Sequence, residues 1–89
     1  MVYITEIHVS PPGDRHERIA AVRWRNPSTG QHGACSTSAM VEFIQNGNQV
    51  QVTDGRNTVA VAVVEASPRY LRTVADGYYT DNLLALPRY

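Results

Sequence analysis

The sequence predicts a single α+β domain over residues 1–89: a mainly antiparallel twisted sheet or partly open barrel of five to six strands with one short helix, in the order ββαββββ. Three observations point there. Apolar residues alternate with period two in several short runs, the period changes to that of a helix once, after Ser36, and the connections are too short for most parallel crossovers.

The first strand is read at Val2 to Val9, with Tyr3, Thr5, Ile7 and Val9 on one face and Val2, Ile4, Glu6 and His8 on the other. Ser10-Pro11-Pro12-Gly13-Asp14 ends it as a dense turn signal. The second strand, Arg18 to Asn26, pairs most simply with the first as a hairpin, and Trp24 anchors it in the core. Asn26 to Gly33, with Pro27 and two glycines, reads as a loop with too few apolar groups to pack. Ser36, Thr37 and Ser38 offer N-caps for a helix over Ser38 to Asn46, with Ala39, Met40, Phe43 and Ile44 on one face and Asn46-Gly47 as the stop. A helix that short is marginal alone, so Phe43 and Ile44 are expected on the sheet.

Gln49 to Asp54 alternates polar residues with Val, Gly55-Arg56-Asn57 turns the chain, and Thr58 to Glu65 is a β-branched run suited to a central strand. Asp76-Gly77 then joins Tyr70–Ala75 to Tyr78–Leu84 as a hairpin, because a two-residue turn needs positive φ angles. The expected core is Trp24, Phe43, Ile44, Val61, Val63, Leu83 and Leu84.

Composition narrows the function classes. One Cys leaves no intrachain disulfide, and no apolar run approaches the roughly 20 residues needed to span a bilayer. The opening Val2-Tyr3-Ile4-Thr5 lacks the cationic and apolar regions of a secretory signal, so a cytoplasmic protein with no membrane partner is expected. All eight basic residues are Arg, balanced by eight acidic ones. A GC-rich genome that disfavours Lys codons explains this most simply; the functional alternative is forked recognition of phosphate or carboxylate. Zero net charge weighs against a duplex-DNA binder, which draws affinity from a basic excess.

His32-x-x-Cys35 has the spacing of half a zinc site but lacks a second half, and His8, His16 and His32 read as ordinary strand or loop histidines. Cys35 beside a helix start, with His32 near in sequence, could form a nucleophile and base, yet an isolated Cys is usually a small buried hydrophobe. No catalytic motif is present, so the chain is read as a non-enzyme without metal or cofactor. The strongest signal is Arg interleaved with aromatics. Alternation puts Arg23 and Arg25 on one face about 7 Å apart, and Tyr70 and Arg72 on another shared face, with Tyr78 across the turn. Arg23, Arg25, Tyr70, Arg72 and Tyr78 are therefore the candidate ligand-binding residues, suited to adjacent phosphates and stacked bases. Cross-strand pairing of these Arg with Glu6 or Asp81 is the plainer explanation.

Ile19 to Trp24, Asn26-Pro27-Ser28-Thr29-Gly30, Met40 to Ile44 and above all Tyr70 to Pro87 together resemble domain of unknown function family 3892, small bacterial and phage proteins. Phe43 and Tyr79 stand where Trp would be sought. The resemblance implies a cytoplasmic bacterial or phage origin and transfers no catalytic residue. The function expected is thus a small binding or adaptor module for an anionic ligand, single-stranded nucleic acid or a nucleotide. The alternative is a structural or protein-interaction domain, and unpaired sheet edges make a homodimer a further expectation.

Overall fold

The computed structural model describes residues 1–11, 15–53 and 55–89; the turn expected at Pro12, Gly13 and Asp14 and the strand end expected at Asp54 lie outside the described residues. Among the described residues seven strands and one α-helix follow in order: β1 (Val2–Val9), β2 (Ile19–Asn26), β3 (Gln31–Ser36), α1 (Thr37–Gln45), β4 (Val50–Thr53), β5 (Thr58–Val64), β6 (Tyr70–Ala75) and β7 (Tyr78–Thr80). A 3-10 turn at His16–Arg18 precedes β2. The strands form one mixed sheet in the order β3-β2-β1-β4-β5-β6-β7. The α+β class holds, with more strands than the five or six expected and the order βββαββββ. All neighbours are antiparallel except β1 and β4, which run parallel over Val2–Val50 and Tyr3–Gln51.

The extra strand is β3, read from sequence as loop and cap. It pairs with β2 in unbroken register from Asn26–Gln31 to Ala21–Ser36. Gly33 lies opposite Trp24, and a Cβ there would stand 3.3 Å from the indole, so the ring covers the strand where a side chain would. An edge strand covered in this way needs little apolar alternation of its own, which is why its sequence looks like loop.

Two register shifts rearrange the faces of β1. Between Ile4 and Glu6 the first strand gains a residue against β2, and between His8 and Val9 the second gains one back. Val2, Ile4 and Ile7 consequently all face the core, whereas strict alternation had set Ile7 opposite Ile4. Inside sit Val22, Val41, Val50, Val52, Val61, Leu71 and Leu83, among others, with Trp24, Ile44, Val63 and Leu84 packed at their margin. Phe43 is the exception to the expected core and remains 36% exposed. The helix buries Thr37, Met40 and Val41 instead, and with Ile44 these make an i, i+3, i+4, i+7 stripe that Phe43 falls outside. Thr37 belongs there because its hydroxyl donates to the Ile19 carbonyl at 2.7 Å.

Ser36 caps α1 by accepting from the Ala39 amide, and Gly47, at φ 97°, ends it. The helix packs on β2 and β3 near one end of the strand order and on β5 and β6 near the other, so the sheet curls around it. The C-terminal segment lies along β1: the Ile7 amide donates to Pro87 O at 3.0 Å, and the Tyr89 amide donates to Ile7 O at 3.1 Å. That return places Tyr89 beside the outer face of β1 and β2.

Candidate functional site

Register sets out the outer face of β1, β2 and β3 residue by residue. Arg25 lies between Tyr3 on one side and His32 on the other; two positions along, Arg23 lies between Glu6 and Ala34. Both Arg side chains are exposed and share a face, as alternation requires. They line an open depression of about 500 Å³ together with Thr5, Glu6, His32 and Ala34. Arg23 is partly engaged: one guanidinium nitrogen is 3.4 Å from a Glu6 oxygen, and its carbon stands 4.1 Å from the centre of the Tyr89 ring. Tyr89 also leans on His8, with ring centres 5.6 Å apart. Arg25 makes no ion pair or side-chain hydrogen bond among the described residues, so its fork stays available in the depression.

The other three expected site residues lie elsewhere. Tyr70 and Arg72 are on β6, which β1, β4 and β5 separate from β2. Arg72 is occupied: it donates to Asp81 Oδ1 at 3.0 Å and approaches Thr80 O at 3.5 Å, and its guanidinium carbon is 5.3 Å from the centre of the Tyr79 ring. Tyr79, opposite Val74, is therefore the ring beside Arg72. Tyr78, 77% exposed, pairs with Ala75 and alternates onto the opposite face. Of the five residues only Arg23 and Arg25 come together; Arg72 is paired within its own end of the sheet, Tyr78 lies on the opposite face from the Tyr79 ring, and the depression beside Arg23 and Arg25 contains none of Tyr70, Arg72 and Tyr78.

His32 and Cys35 point to opposite faces of β3. His32 lines the Arg depression, whereas Cys35 lines an apolar pocket of about 230 Å³ with Val2, Trp24, Met40 and Phe43. Burial pushes the Cys35 thiol above its ordinary value, away from the reactive thiolate. Odd spacing on a strand could have separated the pair from sequence, had β3 been recognised.

His16, read as a loop histidine, is 6% exposed. Its Nε2 has no hydrogen-bond partner among the described residues and stands 3.9 Å from Asp81 Oδ1. Burial lowers its pKa first and the Arg72 charge second, against the opposing pull of Asp81 and Glu17. No local pattern signals this contact, which joins residues 65 positions apart.

The geometry defines a small curled-sheet α+β domain with an open Arg-lined face. By its match to the family model over residues 3–87, the chain belongs to the family described as protein of unknown function DUF3892. No curated protein and no solved structure matches it. Among the described residues no helix is long and apolar enough to cross a membrane.

Proposed function

We propose that the protein is a non-enzymatic binding module of the bacterial or phage cytoplasm whose Arg23–Arg25 face engages a phosphate-bearing ligand, single-stranded nucleic acid or a nucleotide. The observation that carries this is Arg25, set beside His32 in an open depression with no acidic partner among the described residues, while Arg23 two positions away is stacked on Tyr89. Two guanidinium groups about 7 Å apart on one strand face suit successive phosphates, and Tyr3 and Tyr89 supply rings beside them. Zero net charge confines the attraction to this local face. The raised Cys35 thiol and its separation from His32 support binding over covalent catalysis.

The test is a titration of short single-stranded RNA, single-stranded DNA and nucleotides against wild type and the Arg23→Ala/Arg25→Ala double variant across a salt series. Two phosphate contacts to a single strand should make log affinity fall by about 1.4 per tenfold rise in salt, and the double variant should lose most of that slope. Equal binding by the variant, or none by wild type at low salt, discards the reading. A protein-interaction role is the second reading, favoured by the apolar pocket under the exposed Phe43; its binding would barely respond to salt.

A further inference from the structure

The two edges of the sheet are built differently, and only one has the features that keep edges from pairing. β7 is three residues long and runs directly into Asp81 and a series of turns. β3 has six residues, unbroken register, no Pro and no charged Asp, Glu, Arg or Lys, and among the described residues no strand lies along its outer side. Short length, charge, proline and bulges are the usual protections of an edge, and β3 has none of them. Its outer backbone amides and carbonyls are a template for another strand.

We propose that the occupant is β3 of a second copy, paired antiparallel about a two-fold axis normal to the sheet. Three observations favour a copy of the same chain. A β3–β3 pair brings no like charges together, and the chain itself carries no net charge, so self-association meets no overall repulsion. An antiparallel pair about such an axis is self-complementary and closes at two subunits. Two six-residue strands alone fall short of the roughly 800 Å² per partner of a stable interface, but the axis leaves both inner faces on the same side. The Cys35–Phe43 pockets then lie next to the junction, and Phe43, 36% exposed in the monomer, supplies apolar area there. The same axis puts the Arg faces of both copies on one continuous surface, their β2 strands about 14 Å apart. The dimer itself does not rest on anion binding at that surface.

Sedimentation of the full chain from roughly 10 μM to 1 mM should show the mass rising toward twice the monomer. Ala34, exposed near the middle of β3, provides the control. Ala34→Lys and Ala34→Glu should each stay monomeric through like-charge repulsion across the axis, and their equimolar mixture should recover the dimer. A wild type that remains monomeric throughout overturns the proposal, as does a dimer that survives in both variants or is abolished instead by Tyr79→Lys on β7. Should the Ala34 variants fail to fold, hydrogen exchange on wild type decides: amide protection in Gln31–Ser36 that rises with concentration supports the interface, and protection independent of concentration refutes it.

Discussion

The two ends of the sheet use the same residue types to opposite effect. At the β6–β7 end polar groups satisfy one another: Thr73, fully buried, donates to Thr80 O at 3.0 Å and accepts from the Thr80 hydroxyl at 2.7 Å, and Arg72 is tied to Asp81. At the β2–β3 end Arg25 and His32 sit side by side in an open depression, with Arg25 unpaired among the described residues. An Arg next to an aromatic therefore marks a candidate site only where no carboxylate has already taken the guanidinium. Asp81 makes that difference at Arg72, and Glu6 only partly makes it at Arg23.

The contrast should appear most strongly in stability. Leu83 is fully buried in the segment that follows β7, while Phe43 is 36% exposed beside β3. Leu83→Ala should cost about 2–5 kcal/mol through lost burial and a residual cavity, and Phe43→Ala less than about 1 kcal/mol. Urea midpoints at constant slope check the pair. Similar losses for both would mean that the β3 end is as firmly packed as the other.

Next in size is the buried hydroxyl pair. Thr73→Val keeps the shape but strands the Thr80 hydroxyl and removes a donor from the Thr80 carbonyl, a cost of about 1–3 kcal/mol. Its counterpart at the other end, Thr5→Val, loses only an exposed 3.4 Å contact to Arg23 O and should change stability by less than about 0.5 kcal/mol. Thermal melts that rank the two in reverse would break the claim that polar satisfaction is concentrated at β6–β7.

The sequence made some of this legible and hid the rest for identifiable reasons. The Asp76-Gly77 hairpin was readable because the turn needs two positive φ angles, and the structure has them at 53° and 82°. The helix was readable to within a residue at each end from Ser36 and Gly47. β3 was hidden because the indole of Trp24 substitutes for a side chain at Gly33, so its alternation never appears in its own residues. The faces of β1 were misassigned because a bulge leaves no mark in residue type, only in the partner strand's register. The face shared by Arg23 and Arg25 followed from strand parity, and the pairing of Arg23 with Glu6 and of Arg72 with Asp81 from cross-strand reach, whereas the approach of His16 to Asp81 depends on how the sheet curls.

That approach should make stability depend on pH at the β6–β7 end, where the buried His16 Nε2 is the polar atom left without a hydrogen bond among the described residues. Burial and Arg72 hold His16 below its ordinary value of 6.5, so the unfolded chain takes up a proton more readily than the folded one. The contribution is complete above pH 6.5, declines as pH falls from there toward the folded pKa, and levels off below it. Asp81→Asn removes the carboxylate that favours the charged ring, so it should lower the folded pKa further and deepen the decline. Denaturation midpoints between pH 5 and 8, with His16→Gln as the reference for its share, check the sign. A share of stability that grows on acidification would contradict the burial assigned to this ring.

The smallest effects compare the two guanidinium groups directly. The Arg72–Asp81 pair is partly exposed, with side-chain exposures of 30% and 77%, so its coupling in a double-mutant cycle should be only about 0.2–1 kcal/mol. Arg25 has no such partner among the described residues, and Arg25→Ala should leave stability within about 0.5 kcal/mol of wild type. The same two substitutions should separate in the opposite order when ligand affinity is measured: Arg25→Ala weakens binding of a phosphate-bearing strand and reduces its salt slope, whereas Arg72→Ala, on a different part of the sheet, leaves both near wild type. If Arg72→Ala weakened binding as much as Arg25→Ala, the division into an open site and a satisfied network would fail, and the ligand would have to bridge both ends of the sheet.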